Sequence, residues 1–200
     1  GSPITLVDRD QPISLSYAQQ RLWFLDQLNP NSALYNIPIT MRIEGELDTD
    51  AWEKSLQAII ARHESLRTTF TEVDGQGVQV IHSQLDWKLN VVDLQSLEEA
   101  QQKAEVQRLV KEDANRPFDL TKGPLMRATV IQVAKQSYVF LLNLHHIVAD
   151  GWSMGVLMDE LVACYEAFRN GETPALPELS VQYADYAVWQ RKWLEESNLE

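Results

Sequence analysis

The stretch LMRATVIQVAKQSYVFLLNLHHIVADGWS, residues 125–153, contains two strand-like runs and ends on a pair of histidines and an Asp-Gly turn. The two runs are separated by AKQS, which predicts a β-hairpin. The second run is apolar on both faces as far as Asn143, so we expect it to lie inside a sheet. This stretch therefore predicts a buried strand that carries His145 and His146 to its end.

The two histidines cannot serve one target, because successive side chains of a strand point to opposite faces. One of them is expected to carry the chemical function and the other to pack into the fold. A histidine with an ordinary pKa of about 6.5 accepts a proton at neutral pH, so the working ring is a candidate general base. Asp150 follows closely enough to orient a ring or to clamp the turn through an arginine, and Gly151 permits a backbone angle that other residues resist.

The remaining sequence predicts helices and strands that alternate without a regular β-α-β rhythm. Helices are predicted over 16–29, 48–63, 96–113, 152–170 and 181–194, and strands over 35–45, 66–82 (two strands around a glycine turn) and 89–94. Ser16 is the expected cap of the first helix, Asp48 or Asp50 that of the second, and Pro38 indicates an edge strand or an irregular start of the strand. We expect an α/β fold of the α+β type, a mixed β-sheet with helices packed on it.

Charge and composition exclude several classes of protein. The 200 residues are 44% hydrophobic, which is typical of a globular chain, and 29 acidic against 17 basic residues leave a net charge of −12. Nucleic acids and anionic membranes both attract a positive surface, so neither is an expected partner. The apolar runs are shorter than a membrane span and the first residues lack a signal-peptide pattern, so we expect a cytoplasmic protein.

Other kinds of site fit these residues less well. A metal would need the two histidines to converge with Asp150, whereas adjacent strand positions diverge, and no HExxH or CxxC spacing occurs. A hydrolase needs an activated nucleophile, but the sequence has no G-x-S-x-G, and Cys164 falls on an apolar helix face. From the residues alone, the pair also fits a purely structural role at a strand end. His63, on the apolar stripe of its helix, is expected to be a hydrogen-bonded core histidine.

Four segments resemble, in the same order, the motifs of condensation domains of nonribosomal peptide synthetases. They are SYAQQRLWFL at 16–25, RHESLRTTF at 62–70, HHIVADGWS at 145–153 and YADYAVW at 183–189. The third is similar to the family's HHxxxDG signature, which acyltransferases of the chloramphenicol acetyltransferase type share. Four ordered matches are far more specific than that signature alone. AQQRLWFL and SALYNIP further resemble the subtype that takes an L-configured aminoacyl or peptidyl donor.

The resemblance implies a chloramphenicol acetyltransferase-like fold and an amide-forming acyltransferase. In that family, the amine of an aminoacyl group on a downstream peptidyl carrier protein attacks the thioester of a donor on an upstream one. Both substrates are carried on phosphopantetheine arms that enter a tunnel between two lobes, and the domain itself binds no cofactor. The expected partners are therefore carrier protein domains.

The resemblance also implies roles for particular residues. His146 is the residue expected to face the tunnel as the catalytic group, while His145 points into the fold. Asp150 is expected to be structural and paired with an arginine. Arg62 and Arg67, both in the second motif, are the candidates, and we prefer Arg62.

The matched motifs belong to the first half of the family's domain. We therefore expect residues 1–200 to form its N-terminal lobe, with residues 1–2 and 199–200 as cloning remnants and the C-terminal lobe missing. Such a lobe is predicted to be inactive alone, and to self-associate weakly or to recruit the missing lobe through a partly apolar surface. The alternative is a non-catalytic platform on the same fold that recruits carrier proteins or enzymes.

Overall fold

A computed structural model describes residues 3–149 and 153–199, with side chains described as far as residue 196. Within these residues the chain forms seven strands and six α-helices. The strands are β1 (Ile13–Ser14), β2 (Asn36–Glu44), β3 (Thr68–Val73), β4 (Gln76–Ile81), β5 (Asn90–Asp93), β6 (Met126–Ala134) and β7 (Ser137–His145). The helices are α1 (Tyr17–Leu28), α2 (Thr49–Arg62), α3 (Glu99–Asn115), α4 (His146–Ala149), α5 (Met154–Arg169) and α6 (Tyr183–Leu199).

A four-stranded mixed sheet in the order β2-β7-β6-β5 forms the centre of the chain. β7 is antiparallel to both of its neighbours, and β5 runs parallel to β6. The predicted hairpin is therefore confirmed as β6–β7, and its second strand lies inside the sheet. Of the two alternatives that Pro38 left open, β2 is an edge strand, and its side chains alternate between half-buried and exposed.

A second, three-stranded antiparallel sheet in the order β1-β4-β3 was not predicted from the sequence. The hairpin β3–β4 was predicted, and its turn lies at Asp74 and Gly75, which both have positive φ. β1 has only two residues, too few to show a period, and it is a strand only because Ile13 and Ser14 pair with β4. The β3–β4 hairpin therefore pairs with β1 and forms a sheet of its own, separate from the mixed sheet.

The helices begin at capping residues that the sequence largely identifies. The Ser16 hydroxyl accepts from the Gln19 backbone N–H, and the Gln19 side chain accepts from the Ser16 N–H, which is a capping box. Asp48, and not Asp50, caps α2. α3 begins and ends about two to three residues later than predicted, and α5 begins at Met154 behind the Ser153 cap. The one-turn helix α4 was missed, because four residues are too few to show a helical period.

Helices cover both faces of the mixed sheet, so that alternate residues of β7 enter two different cores. Phe140, Leu142 and Leu144 belong to the larger core, where the Trp52 ring of α2 meets Phe140 edge-on at 5.1 Å. Val139 and Leu141 belong to a smaller core under α3. Every residue of β7 after Ser137 is buried. Within the described residues, no helix has the length and apolarity needed to cross a membrane.

Gly77 allows α1 to approach β4 closely. A Cβ atom there would lie 2.8 Å from the Trp23 ring and 2.9 Å from the Leu15 side chain. We predict that Gly77→Ala lowers the free energy of unfolding by about 1–3 kcal/mol through overpacking. The matched control is Gly155→Ala in α5, where the nearest atom of the described residues lies 3.7 Å away and alanine favours the helix. Urea titration of both variants checks this; equal stability of the two would contradict the close approach.

Candidate active site

His145 is the last residue of β7 and is 2% exposed. Its Nδ1 accepts a hydrogen bond from the backbone N–H of Ile147 at 3.0 Å, so a neutral ring must carry its proton on Nε2. The ring packs near those of Tyr35 and Phe118, with centroid distances of 6.4 and 6.3 Å. Burial, and secondarily the neighbouring His146, lower the pKa of His145 to about 4. His145 is therefore a neutral residue that caps the start of α4.

His146 is the first residue of α4, and its side chain is exposed. Its backbone N–H donates to the Tyr35 carbonyl at 2.9 Å, which holds the residue at the end of the sheet. The two rings diverge as expected, but the reason differs from simple strand alternation. A continued strand would have sent His146 onto the same face as Leu144, into the larger core. The turn into α4 instead leaves its imidazole accessible, which a general base requires.

The four motif segments meet around α4. α4 packs against α1 and against the 3₁₀ turn Glu64–Arg67, which belong to the first and second segments. The fourth segment, at the start of α6, ties these two together: the Tyr183 hydroxyl donates to the Ser16 hydroxyl at 2.8 Å. Next to it, Gln182 accepts from the Glu64 N–H and donates to the Arg62 carbonyl. The ordered motifs of the sequence are thus one contiguous region of the structure.

Asp185 is a structural residue of this region for which the sequence predicted no role. It is fully buried and binds Arg9 at 2.5 Å, and Arg9 also binds Glu64 at 2.9 Å. Burial alone would raise the pKa of Asp185, but hydrogen bonds from Arg9 and from the N–H groups of Gln182 and Val7 outweigh it and lower that pKa. Arg9 and Asp185 lie far apart in sequence, and no local pattern indicates their pairing.

Arg67 caps the C-terminal end of α2. Its guanidinium donates to the carbonyls of Ile60 at 3.0 Å and Ala61 at 3.1 Å, and to that of His82 at 2.7 Å. The last carbonyls of a helix lack partners within the helix, so these bonds satisfy groups that would otherwise be left without donors. Arg67 is therefore a helix-capping residue in the second motif.

Arg62 binds the carboxylate of Glu160 on α5 and the carbonyl of Pro177. The predicted partner of Arg62 or Arg67 was Asp150, and Asp150 and Gly151 lie outside the described residues. Their structural roles therefore stay predictions. The importance of Glu160 was not predicted, because in the sequence it is one more charge on an amphipathic helix.

His63 is a hydrogen-bonded core histidine, as predicted. Its Nε2 lies 2.7 Å from the second Glu160 oxygen. Arg62 already offsets the charge of this carboxylate, and burial followed by the proximity of Arg62 lowers the pKa of His63 to about 4. The neutral ring then donates its Nε2–H to Glu160. Cys164 is also buried, and burial raises the pKa of its thiol, which disfavours a nucleophilic role.

A family model for the condensation domain matches residues 9–200. The chain belongs to the condensation domain family. Its curated relatives include a subunit of the linear gramicidin synthase of Brevibacillus parabrevis, 61% identical over 99% of the chain, and a phosphinothricin tripeptide synthetase of Streptomyces viridochromogenes, 42% identical over 96%. The chain spans only 3% and 18% of the length of these two synthetases.

Solved structures agree with this assignment. The X-domain from teicoplanin biosynthesis superposes with a TM-score of 0.85 at 29% identity, over 98% of this chain and 42% of that one; it is also known in a complex with OxyB. The starter condensation domain of rhizomide synthetase superposes with a TM-score of 0.81 at 28% identity, over 92% and 44%. The fold class is thus confirmed: a mixed α+β lobe of the chloramphenicol acetyltransferase-like fold, from a nonribosomal peptide synthetase family.

The lowered histidine pKa values predict a loss of stability in mild acid. Below pH 6.5, His145 and His63 bind protons in the unfolded chain, whereas in the folded chain they bind them only near pH 4. The contribution of His145 and His63 is therefore complete above pH 6.5 and is lost as the pH falls to about 4. Asp185, whose pKa is lowered, adds its own loss only at still lower pH.

We expect His145→Asn to flatten the pH dependence of the unfolding free energy between pH 7 and pH 4.5 by on the order of 1–3 kcal/mol. Asparagine keeps an acceptor for Ile147 but does not titrate. Urea unfolding at several pH values measures this, and the double variant with His63→Gln should flatten the profile further. An unchanged slope in both variants would show that neither ring is held neutral.

Proposed function

We propose that this chain is the N-terminal lobe of an amide-forming condensation domain. The domain joins the aminoacyl or peptidyl thioester of an upstream carrier protein to the amine of an amino acid on a downstream one. The observation that carries the proposal is the exposed imidazole of His146 at the start of α4, which packs against the first and second motif segments. The 61% identity to a linear gramicidin synthase subunit supports it, and so does the resemblance of AQQRLWFL and SALYNIP to the subtype with an L-configured donor.

The reaction requires the protein to transfer a proton and to align the two substrates. The neutral amine attacks the thioester carbon, the C–S bond breaks, and the new amide nitrogen gives up a proton while the phosphopantetheine sulfur gains one. His146 takes the proton from the nitrogen, or holds the amine by a hydrogen bond. Such a base contributes about 10² to 10⁴ in rate, whereas alignment of two tethered reactants contributes roughly 7–11 kcal/mol. Alignment of the substrates therefore accelerates the reaction more than the base does.

Alignment of the two substrates needs a second protein surface that faces this lobe. The chain spans 42–44% of its solved neighbours, which is consistent with one lobe of two. We propose that the carrier-bound substrates meet between this lobe and a C-terminal lobe, and that Asp150 and Gly151 support the turn that follows α4. The partners are then the upstream and downstream carrier domains and the C-terminal lobe, which this lobe alone recruits in trans or replaces by weak self-association.

The second candidate is a non-catalytic recruitment platform. It is favoured by the fold similarity to the X-domain, which forms a complex with OxyB. The identity to that domain is 29%, against 61% to the linear gramicidin synthase, and the exposed His146 has no use in a platform. We therefore prefer the acyltransferase.

In the intact synthetase, we predict that His146→Ala lowers the rate of amide formation by about 10²- to 10⁴-fold, because the proton acceptor is lost. Binding of loaded carrier protein should stay within twofold of the unmodified protein. The matched control is His82→Ala, which removes an imidazole that bonds to Thr69 away from α4. Product with undiminished rate for every substrate pair tested would refute a catalytic histidine. Carrier or enzyme binding without turnover in the unmodified synthetase would favour the platform.

The isolated chain is predicted to fold but not to condense substrates. The reacting amine and thioester must be held about 3–3.5 Å apart, and one lobe supplies only one side of that geometry. The test incubates the purified chain with loaded donor and acceptor carrier proteins, with and without the separately expressed C-terminal lobe, and looks for the amide by mass spectrometry. Robust product from the chain alone would show that the two-lobe proposal is wrong.

A further inference from the structure

Arg127 of β6 lies over the C-terminal end of α3. Its guanidinium donates to the carbonyls of Asp113 at 3.1 Å and Arg116 at 2.9 Å, and it lies 3.4 Å from the Asp113 carboxylate. Its side chain is largely buried. On these contacts alone, Arg127 is a helix-capping residue with no connection to the histidines.

Two asparagines already make the same capping bonds. The Asn143 side-chain amide donates to the Asp113 carbonyl at 2.8 Å, and that of Asn36 donates to the Arg116 carbonyl at 2.8 Å. Two of the three carbonyls that Arg127 binds therefore have other donors, and the third is that of Pro117, at 3.4 Å. A role of Arg127 that no neighbour duplicates must come from its remaining contacts.

One of these remaining contacts is with the aromatic ring of Phe118. The Arg127 guanidinium carbon lies 3.9 Å from the centroid of the Phe118 ring, within the range of a cation–π interaction, and the ring is buried. Phe118 in turn packs against His145 at an interplanar angle of 75°. Arg127, Phe118 and His145 thus contact one another in series, from the end of α3 to the start of α4. We call these three side chains the stack, although the Phe118 and His145 rings meet edge to face.

The register of the sheet explains why these groups meet. Arg127 pairs with Asn143 across β6 and β7, and His145 lies two residues further along the same face of β7. This face is the one that α3 covers, because Val139 and Leu141 on it pack under α3. Arg127 and His145 therefore lie at the end of the α3 face, and Phe118, which packs with the larger core, contacts both of them there.

We propose that Arg127 is a positioning residue for His146: its guanidinium holds the Phe118 ring against His145, and so keeps the His145 ring in the orientation that caps α4. His146 begins α4, so the direction of its imidazole depends on this cap. The proposal rests on the proposed function only in taking His146 as the catalytic group. Arg127 touches no reacting atom.

The first test reads the His145 ring directly in this chain, which has four histidines. Long-range ¹H–¹⁵N correlation spectra should show His145 protonated on Nε2 alone. Arg127→Met and Phe118→Leu should each convert this single tautomer into a mixture. The matched control is Arg108→Met, because Arg108 is exposed on α3 and forms ion pairs only with Glu105 and Glu112 among the described residues. Arg108→Met should leave the His145 signals unchanged.

The second test measures turnover in the intact synthetase. We expect Arg127→Met and Phe118→Leu to lower kcat roughly 10- to 100-fold, as small misplacements of catalytic groups do, with KM for the carrier-bound amine within twofold of the unmodified enzyme. The double variant should lose no more than the larger single loss, because both changes break one stack. If Arg127→Met does not fold, Phe118→Leu carries the test, because it leaves the bonds to α3 intact.

The outcomes separate the two proposals. A single His145 tautomer and unchanged kcat in folded Phe118→Leu would overturn the positioning role, and so would losses of kcat that add in the double variant. An unchanged rate in His146→Ala would overturn the proposed function instead, while the tautomer measurement would still decide whether Arg127 controls His145.

Discussion

Two backbone hydrogen bonds hold the histidine pair, and the arrangement of the site depends on them. The His145 N–H donates to Leu125, just before β6, and the His146 N–H donates to Tyr35, just before β2. The end of β7 is thus held from both neighbouring strands at the residue where the strand becomes α4. Because every residue of β7 after Ser137 is buried, the strand cannot slip by one residue without placing its apolar side chains on the wrong faces.

His145 and His146 are adjacent, but one is buried and the other exposed, so their chemical properties differ. Burial holds His145 neutral and lets its Nδ1 cap α4, whereas His146 stands in contact with solvent. A charged His145 would carry a proton on Nδ1 and would lose the bond from Ile147. The buried ring therefore supports the exposed one, and Phe118, with Arg127 over its ring, supports the buried ring.

The chain is acidic overall, yet the buried carboxylates among the described residues are paired. Asp185 binds Arg9, and Glu160 binds Arg62 and His63. Buried ion pairs add little net stability, because desolvation opposes their attraction, but removal of one partner leaves an uncompensated charge. These pairs instead connect segments distant in sequence: Arg9 and Glu64 with the start of α6, and α2 with α5. They hold together the region in which the four motif segments meet.

The sequence by itself determined the longer helices and strands and the family. The periodicity of β2, the capping residues Ser16 and Asp48, the β6–β7 hairpin and the four ordered motifs are all local patterns, and local patterns can be recognised along the chain without its fold. The divergence of the two histidines was also predicted, although through strand alternation. Only the tertiary structure decided that His146 begins a helix, that β1 joins a second sheet, that Arg67 caps α2, and that Asp185 and Glu160 are buried partners of arginines. Each of these depends on groups far apart along the chain, whose approach follows from packing and hydrogen bonding rather than from the spacing of neighbouring residues.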